Sequence, residues 1–127
     1  MHSITGGNVT DSFHYGQTGN LQAVVCPVDG ILKSAVTMDT DGSGIKAMDI
    51  HPKTGIAING FRLPLWRQAC ALVKETAPKF LPLRTIGWDV ALTPRGPVIV
   101  EGNIWWDPDS HHRRGNEIAD ALLQSMK

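Results

Sequence analysis

Ile86-Gly-Trp-Asp-Val-Ala-Leu-Thr-Pro-Arg-Gly-Pro-Val-Ile-Val-Glu-Gly-Asn103 is the stretch on which the reading of this chain turns. Residues 86–93 and 97–104 are rich in β-branched and large apolar side chains, the composition of strands. Between them Pro94-Arg95-Gly96 suits a three-residue hairpin loop, with Pro94 opening a type I turn and Gly96 in the left-handed position. That loop sets Thr93 opposite Pro97, Leu92 opposite Val98, Val90 opposite Val100 and Asp89 opposite Glu101. Alternation then sends Trp88, Val90, Leu92, Val98, Val100 and Ile104 to a core face, and Asp89, Glu101 and Asn103 to the other. Two carboxylates facing each other across a strand pair repel. A cation between them, or a proton on one of them, removes the repulsion. Two carboxylates and an amide oxygen are a hard, all-oxygen set of the kind Mg²⁺ accepts, while a solvated polar strand face is the plain alternative.

At these residues the chain resembles the sugar-transfer-associated ATP-grasp family. In that family an acid on one strand and Glu-x-Asn on the next bind the metal ions that hold ATP phosphates; Asp89, Glu101 and Asn103 match those positions. His51-Pro-Lys-Thr-Gly-Ile-Ala-Ile-Asn-Gly-Phe-Arg-Leu-Pro-Leu-Trp66 is similar to the family's HP-x-TG segment and the G-x-x-x-P-x-W-like stretch after it. Asp11-Ser-Phe-His-Tyr-Gly16 looks like a worn form of its Asp-Asn-rich segment, with Ser12 in place of Asn. The resemblance runs from about residue 11 to about 107. It implies Mg²⁺ (or Mn²⁺) and ATP as cofactors, metal ligands Asp89, Glu101 and Asn103, and His51, Lys53 and Arg62 as candidates for substrate or phosphate. Catalytic residues are not assigned.

A complete ATP-grasp enzyme closes on nucleotide with a second subdomain that brings a phosphate-binding lysine and a glycine-rich flap. The expectation is that this chain holds the metal-bearing half alone: a flexible tail over residues 1–10, then one ATP-grasp-like half domain over 11–127. Two functions follow. One is Mg-nucleotide binding within an ATP-dependent carboxylate ligase that acts through an acyl phosphate and needs a partner chain or second copy for the missing half. The alternative is a non-catalytic binding or interaction module derived from a truncated ATP-grasp domain. Nucleotide and a small carboxylate are the expected ligands.

Composition narrows the class. An apolar content of 42% in 127 residues is enough for one hydrophobic core. Twelve basic residues balance twelve acidic ones, which speaks against a nucleic-acid binder. With no long apolar run and no signal-peptide pattern, a soluble cytoplasmic chain without membrane contact is expected. Cys26 and Cys70 lack metal-type neighbours at short spacing and read as buried free thiols.

Residues 21–26 and 31–36 read as strands joined by Pro-Val-Asp-Gly at 27–30. Residues 57–61 suit a short strand, and 65–77 a helix with Trp66, Ala69, Cys70, Val73 and Ala77 on one stripe, ended by Pro78. A last helix is expected over 117–126, capped by Asn116. Strands, helix, hairpin, helix describe an α+β fold, an antiparallel sheet with helices on one face, resembling half of an ATP-grasp domain.

Other segments carry less. Asp39-Thr-Asp-Gly-Ser-Gly44 starts like a calcium loop, but its twelfth position is Ile50 instead of a bidentate Glu. His111-His-Arg-Arg114 is a basic cluster whose adjacent histidines chelate poorly in extended chain. Of Trp105 and Trp106, one is expected on the metal face and one in the core.

Overall fold

The computed structural model describes residues 2–4, 20–38, 44–106, 120, 123 and 124. The Asp11–Gly16 segment, most of the calcium-like run, the 111–114 cluster and most of the last expected helix lie outside the described residues. The chain divides into two compact units, Met1–Gln68 and Ala69–Lys127.

The first unit is a four-stranded antiparallel sheet in the order β1-β2-β3-β4: β1 (His2–Ile4), β2 (Leu21–Val25), β3 (Leu32–Met38) and β4 (Ile45–Met48). Residues 2–4, read from the sequence as part of a flexible tail, pair with β2, His2 opposite Ala23. Alternation along β2 buries Leu21, Ala23 and Val25, and across the pair Leu32 and Ala35 join them. Ala23 opposes Ala35 but Val25 opposes Leu32, so a bulge in β3 lets Leu32 and Ala35 reach the same buried face. Ile58 and Leu63 complete the apolar core of this unit.

The turn between β2 and β3 is tied down from several sides. Gly30 takes φ +73°, and its N–H donates to Cys26 O at 2.9 Å. Asp29 Oδ1 accepts from Ile31 N at 3.0 Å. Arg62 Nη1 donates to Asp29 O at 2.9 Å, and Trp66 Nε1 to Pro27 O at 3.1 Å. The indole of Trp66 lies against Gly30 so closely that a Cβ there would stand 2.5 Å from Trp66 Cγ. Residues 57–61 do not form the expected strand; Ala57 and Arg62 each make a single antiparallel bridge, to Ile50 and Ile31. Hydrogen bonds from Leu32 N to Phe61 O and from Gly60 N to Leu32 O hold this segment instead.

Helix α1 (Trp66–Thr76) crosses from the first unit into the second, and a 3₁₀ turn (Ala77–Phe80) with Pro78 in its first turn follows it. Ala69 is buried, and Trp66, Cys70, Val73 and Ala77 are half-buried, while Arg67, Gln68, Ala71, Lys74 and Glu75 are exposed. That is the expected stripe. Lys74 in the last turn suits the negative end of the helix dipole. Cys26 and Cys70 are free thiols, both half-buried.

The second unit also contains a two-stranded antiparallel sheet, β5 (Gly87–Thr93) and β6 (Gly96–Asn103). Antiparallel sheets with a helix make the fold α+β, as expected. Among the described residues no helix is long and apolar enough to cross a membrane.

Candidate functional site

The hairpin reaches the expected pairing by an unexpected route. Asp89 stands opposite Glu101. The loop that should have produced this register is one residue shorter than expected: Thr93 pairs with Gly96, leaving only Pro94 and Arg95 in the turn. Leu92 then opposes Pro97, Ala91 opposes Val98 and Val90 opposes Ile99. The residue lost from the turn reappears as a bulge at Val100, beyond which Asp89–Glu101, Trp88–Gly102 and Gly87–Asn103 are in the expected register.

The slip corrects the expected core face. A one-residue shift moves a strand's side chains to the opposite face. Ile99 shares a face with Val90, whereas Val98, paired with Ala91, turns to the side that carries Asp89. Val98 and Val100 are 51% and 67% exposed, while Ile99 is half-buried. Ile104, also expected in the core, is 54% exposed.

Asp89 and Glu101 are exposed, and Asn103 is half-buried. Asn103 Nδ2 donates to Glu101 Oε1 at 3.0 Å. That bond is the main reason Glu101 ionises below its ordinary value; a hydrogen bond with the Asp89 carboxyl adds to it, and slight desolvation works against both. Asn103 Oδ1 has no hydrogen bond among the described residues. With its amide nitrogen spent on Glu101, Asn103 offers an oxygen beside the two carboxyls, so the donor set fits a hard divalent cation. Among the described residues there is no group of three or more His, Cys, Asp or Glu that would make a different metal site.

Glycines open the hairpin end around these residues. A Cβ at Gly102, between Glu101 and Asn103, would stand 3.0 Å from Trp88 Cζ3; one at Gly87 would stand 2.8 Å from Trp106 Cβ. Trp88 alternates to the face opposite Asp89 and meets Phe80 edge-on at 5.5 Å between ring centres. An open depression of about 320 Å³, lined by Leu83, Ile86, Trp88 and Trp106 among others, lies on that side. Trp105 is 91% exposed and Trp106 half-buried.

The other sequence candidates lie in the first unit. Arg62 is engaged with the β2–β3 turn through Asp29 O, and its charge also helps to hold the Asp29 carboxyl below its ordinary value, behind the Ile31 N–H and the Cys26 side chain. It borders an open depression of about 490 Å³ with Trp66 and Arg67. Lys53 is exposed. His51 is half-buried, and its Nδ1 accepts from Lys53 N at 3.3 Å and Thr54 N at 3.2 Å. This capping role was not read from the sequence, although a side-chain acceptor three residues before a Thr-Gly pair, with proline next to it, is the pattern of a side-chain-closed turn.

Residues 1–109 match the model of the sugar-transfer associated ATP-grasp family. The chain belongs to this family. It is an ATP-grasp-type domain, of a nucleotide-binding class, and the match begins ten residues before the first motif that carries the resemblance in sequence. No curated protein and no solved structure is similar enough to the chain to be matched with it.

Proposed function

We propose that β5 and β6 hold Mg²⁺ or Mn²⁺ with ATP phosphates at Asp89, Glu101 and Asn103, within an ATP-dependent ligase that activates a carboxylate as an acyl phosphate. The observation that supports this most directly is Asp89 opposite Glu101, with the Asn103 oxygen next to them on one exposed face. A bound divalent ion would neutralise charge gathering on the phosphate oxygens during transfer. The protein's own part is preparation. The Val100 bulge brings Glu101 level with Asp89, and the Asn103 amide holds the Glu101 carboxylate and favours its ionised form.

A non-catalytic binding module is the second reading. It is favoured by the placement of all three ligands on a single sheet face, since phosphoryl transfer needs groups that converge from several directions. A partner chain or a second copy would supply them in the ligase reading.

The test is metal binding with and without a non-hydrolysable ATP analogue. Mn²⁺ should broaden NMR signals around Asp89, Glu101 and Asn103, and the nucleotide analogue should strengthen the effect. Mg²⁺ should raise the melting temperature of the wild type and not of Asp89→Asn. Broadening that spares the hairpin removes the proposal. A turnover assay with a panel of carboxylates separates the two readings.

A further inference from the structure

Asn59-Gly60 is a pair with chemistry of its own. Among the asparagines of the sequence, Asn59 alone precedes a glycine. The backbone nitrogen of a following residue can attack an asparagine side-chain carbonyl, and a side chain on that residue hinders the approach; glycine has none. Both residues are exposed, and a Cβ at Gly60 would meet nothing within 4 Å. The Asn59 side chain has no hydrogen bond among the described residues.

The folded backbone holds this reaction off. Ile58 O accepts from Phe61 N at 2.9 Å and Gly60 takes φ +83°, which makes residues 58–61 a type II turn with Gly60 in its third position. Gly60 N, the atom that would attack, donates to Leu32 O at 2.9 Å. Leu32 N in turn donates to Phe61 O at 2.8 Å, while Ile58 N and Leu63 N donate to Asp49 O and Gly30 O at 2.7 Å and 2.9 Å. Ile58 is buried, which anchors one end of the segment in the core of its unit. An amide nitrogen becomes a nucleophile only as it gives up its proton, and here that proton is held by a buried strand residue's carbonyl. Attack therefore requires the bond between Gly60 and Leu32 to break first.

We propose that Asn59 is a site of spontaneous deamidation, gated by the opening of residues 58–62 away from β3. In the opened segment Gly60 N attacks Asn59 Cγ. The new N–Cγ bond forms, the Cγ–Nδ2 bond breaks, and the Gly60 amide proton departs with the leaving ammonia. Solvent water then opens the cyclic imide. Addition at Cγ gives aspartate; addition at the main-chain carbonyl gives isoaspartate, whose backbone runs through Cβ and is one methylene longer. That extra length falls inside the turn that sets Gly60 against Leu32 O, two residues from the Arg62 bond to Asp29 O. The isoaspartate form loses this fit, whereas aspartate keeps the backbone unchanged. The inference is independent of the metal reading of the hairpin, because no residue is shared.

The test is peptide mapping by mass spectrometry on the full chain incubated at mildly alkaline pH, with the aspartate and isoaspartate products at position 59 separated. Deamidation should be at least about tenfold slower in the folded chain than in the chain unfolded by guanidinium chloride, because only the open state reacts. Guanidinium chloride below the unfolding transition should speed it in step with hydrogen exchange of the Gly60 amide. Arg62→Ala, which removes the bond to Asp29 O, should speed both together. The isoaspartate form should melt below the Asn59→Asp variant. Equal rates in folded and unfolded chain, a folded-chain rate that does not follow Gly60 exchange, or no product at Asn59 even in the unfolded chain overturns the proposal. An isoaspartate form as stable as Asn59→Asp removes the structural consequence drawn from it.

Discussion

Replacing Gly30 by alanine places a methyl group where Trp66 already lies. The added Cβ would be 2.5 Å from Cγ, 2.7 Å from Cβ and 2.8 Å from Cδ1 of that side chain. These atoms belong to the base of the indole, which cannot swing aside as a flexible tip would. Backbone strain comes on top, because Gly30 holds φ +73°. A left-handed conformation costs an L-residue about 1–2 kcal/mol, and forcing a side chain into filled space costs typically about 1–3 kcal/mol. The reduced freedom of alanine in the unfolded chain returns roughly 0.4–1 kcal/mol. The expected net loss is about 2–4 kcal/mol, from the difference of those terms. Gly60→Ala is the internal control: its φ is +83°, yet a Cβ there meets nothing within 4 Å. It carries the strain without the clash and should cost only about 0.5–1.5 kcal/mol. Urea unfolding of both variants, read as a midpoint change at unchanged slope, gives the comparison. Equal losses in the two would show that Trp66 does not rest on Gly30, and the description of the β2–β3 turn would fail with it.

Two further outcomes test the hairpin. Asn103→Ala removes the amide that does most to keep Glu101 ionised, so the Glu101 pKa should rise towards its ordinary value, as a side-chain NMR titration would show. A carboxylate depressed in the folded state adds stability above its unfolded pKa, and that stability is lost as pH falls through the folded pKa. The variant should therefore lose this contribution at higher pH than the wild type does, and an unchanged titration would mean the Asn103 bond does not act on Glu101. Ile99→Thr should destabilise by about 1 kcal/mol or more, while Val98→Thr and Val100→Thr should stay within about 0.5 kcal/mol. The reverse order, read from thermal melts, would restore the register without the bulge.

Much of the candidate site was legible in the sequence because opposed acids and a Glu-x-Asn pattern constrain a hairpin strongly. The pairing of Asp89 with Glu101 came out as expected from a loop that was misjudged, since the expected loop was one residue too long and the expected β6 lacked the bulge that compensates. A bulge leaves no composition signal, so Val98 and Val100 read as core when only Ile99 is half-buried there. The helix was visible from its apolar stripe and from Pro78. β1 and β4 were not. His2–Ile4 is too short to show a period, and Ile45–Met48, mostly exposed, has no alternation to read. The role of His51 was hidden for another reason: its match to a family motif suggested ligand chemistry, while its ring nitrogen is also occupied in shaping its own turn.

The short turn and the Val100 bulge form a compensating pair, and this bears on how the hairpin tolerates a change of turn length. Taking Gly96 out of the pairing and into the turn would lengthen the loop to three residues and allow β6 to run straight, with no bulge. Asp89 would still face Glu101, because both changes act on the same strand and cancel beyond position 100. The exchange would fall on the strand nearer the turn, where Val98 would move inward and Ile99 outward. Length variation at the tip is thus decoupled from the acidic end of the hairpin, and drift in loop length among descendants of this sequence can leave the ligand-bearing end undisturbed.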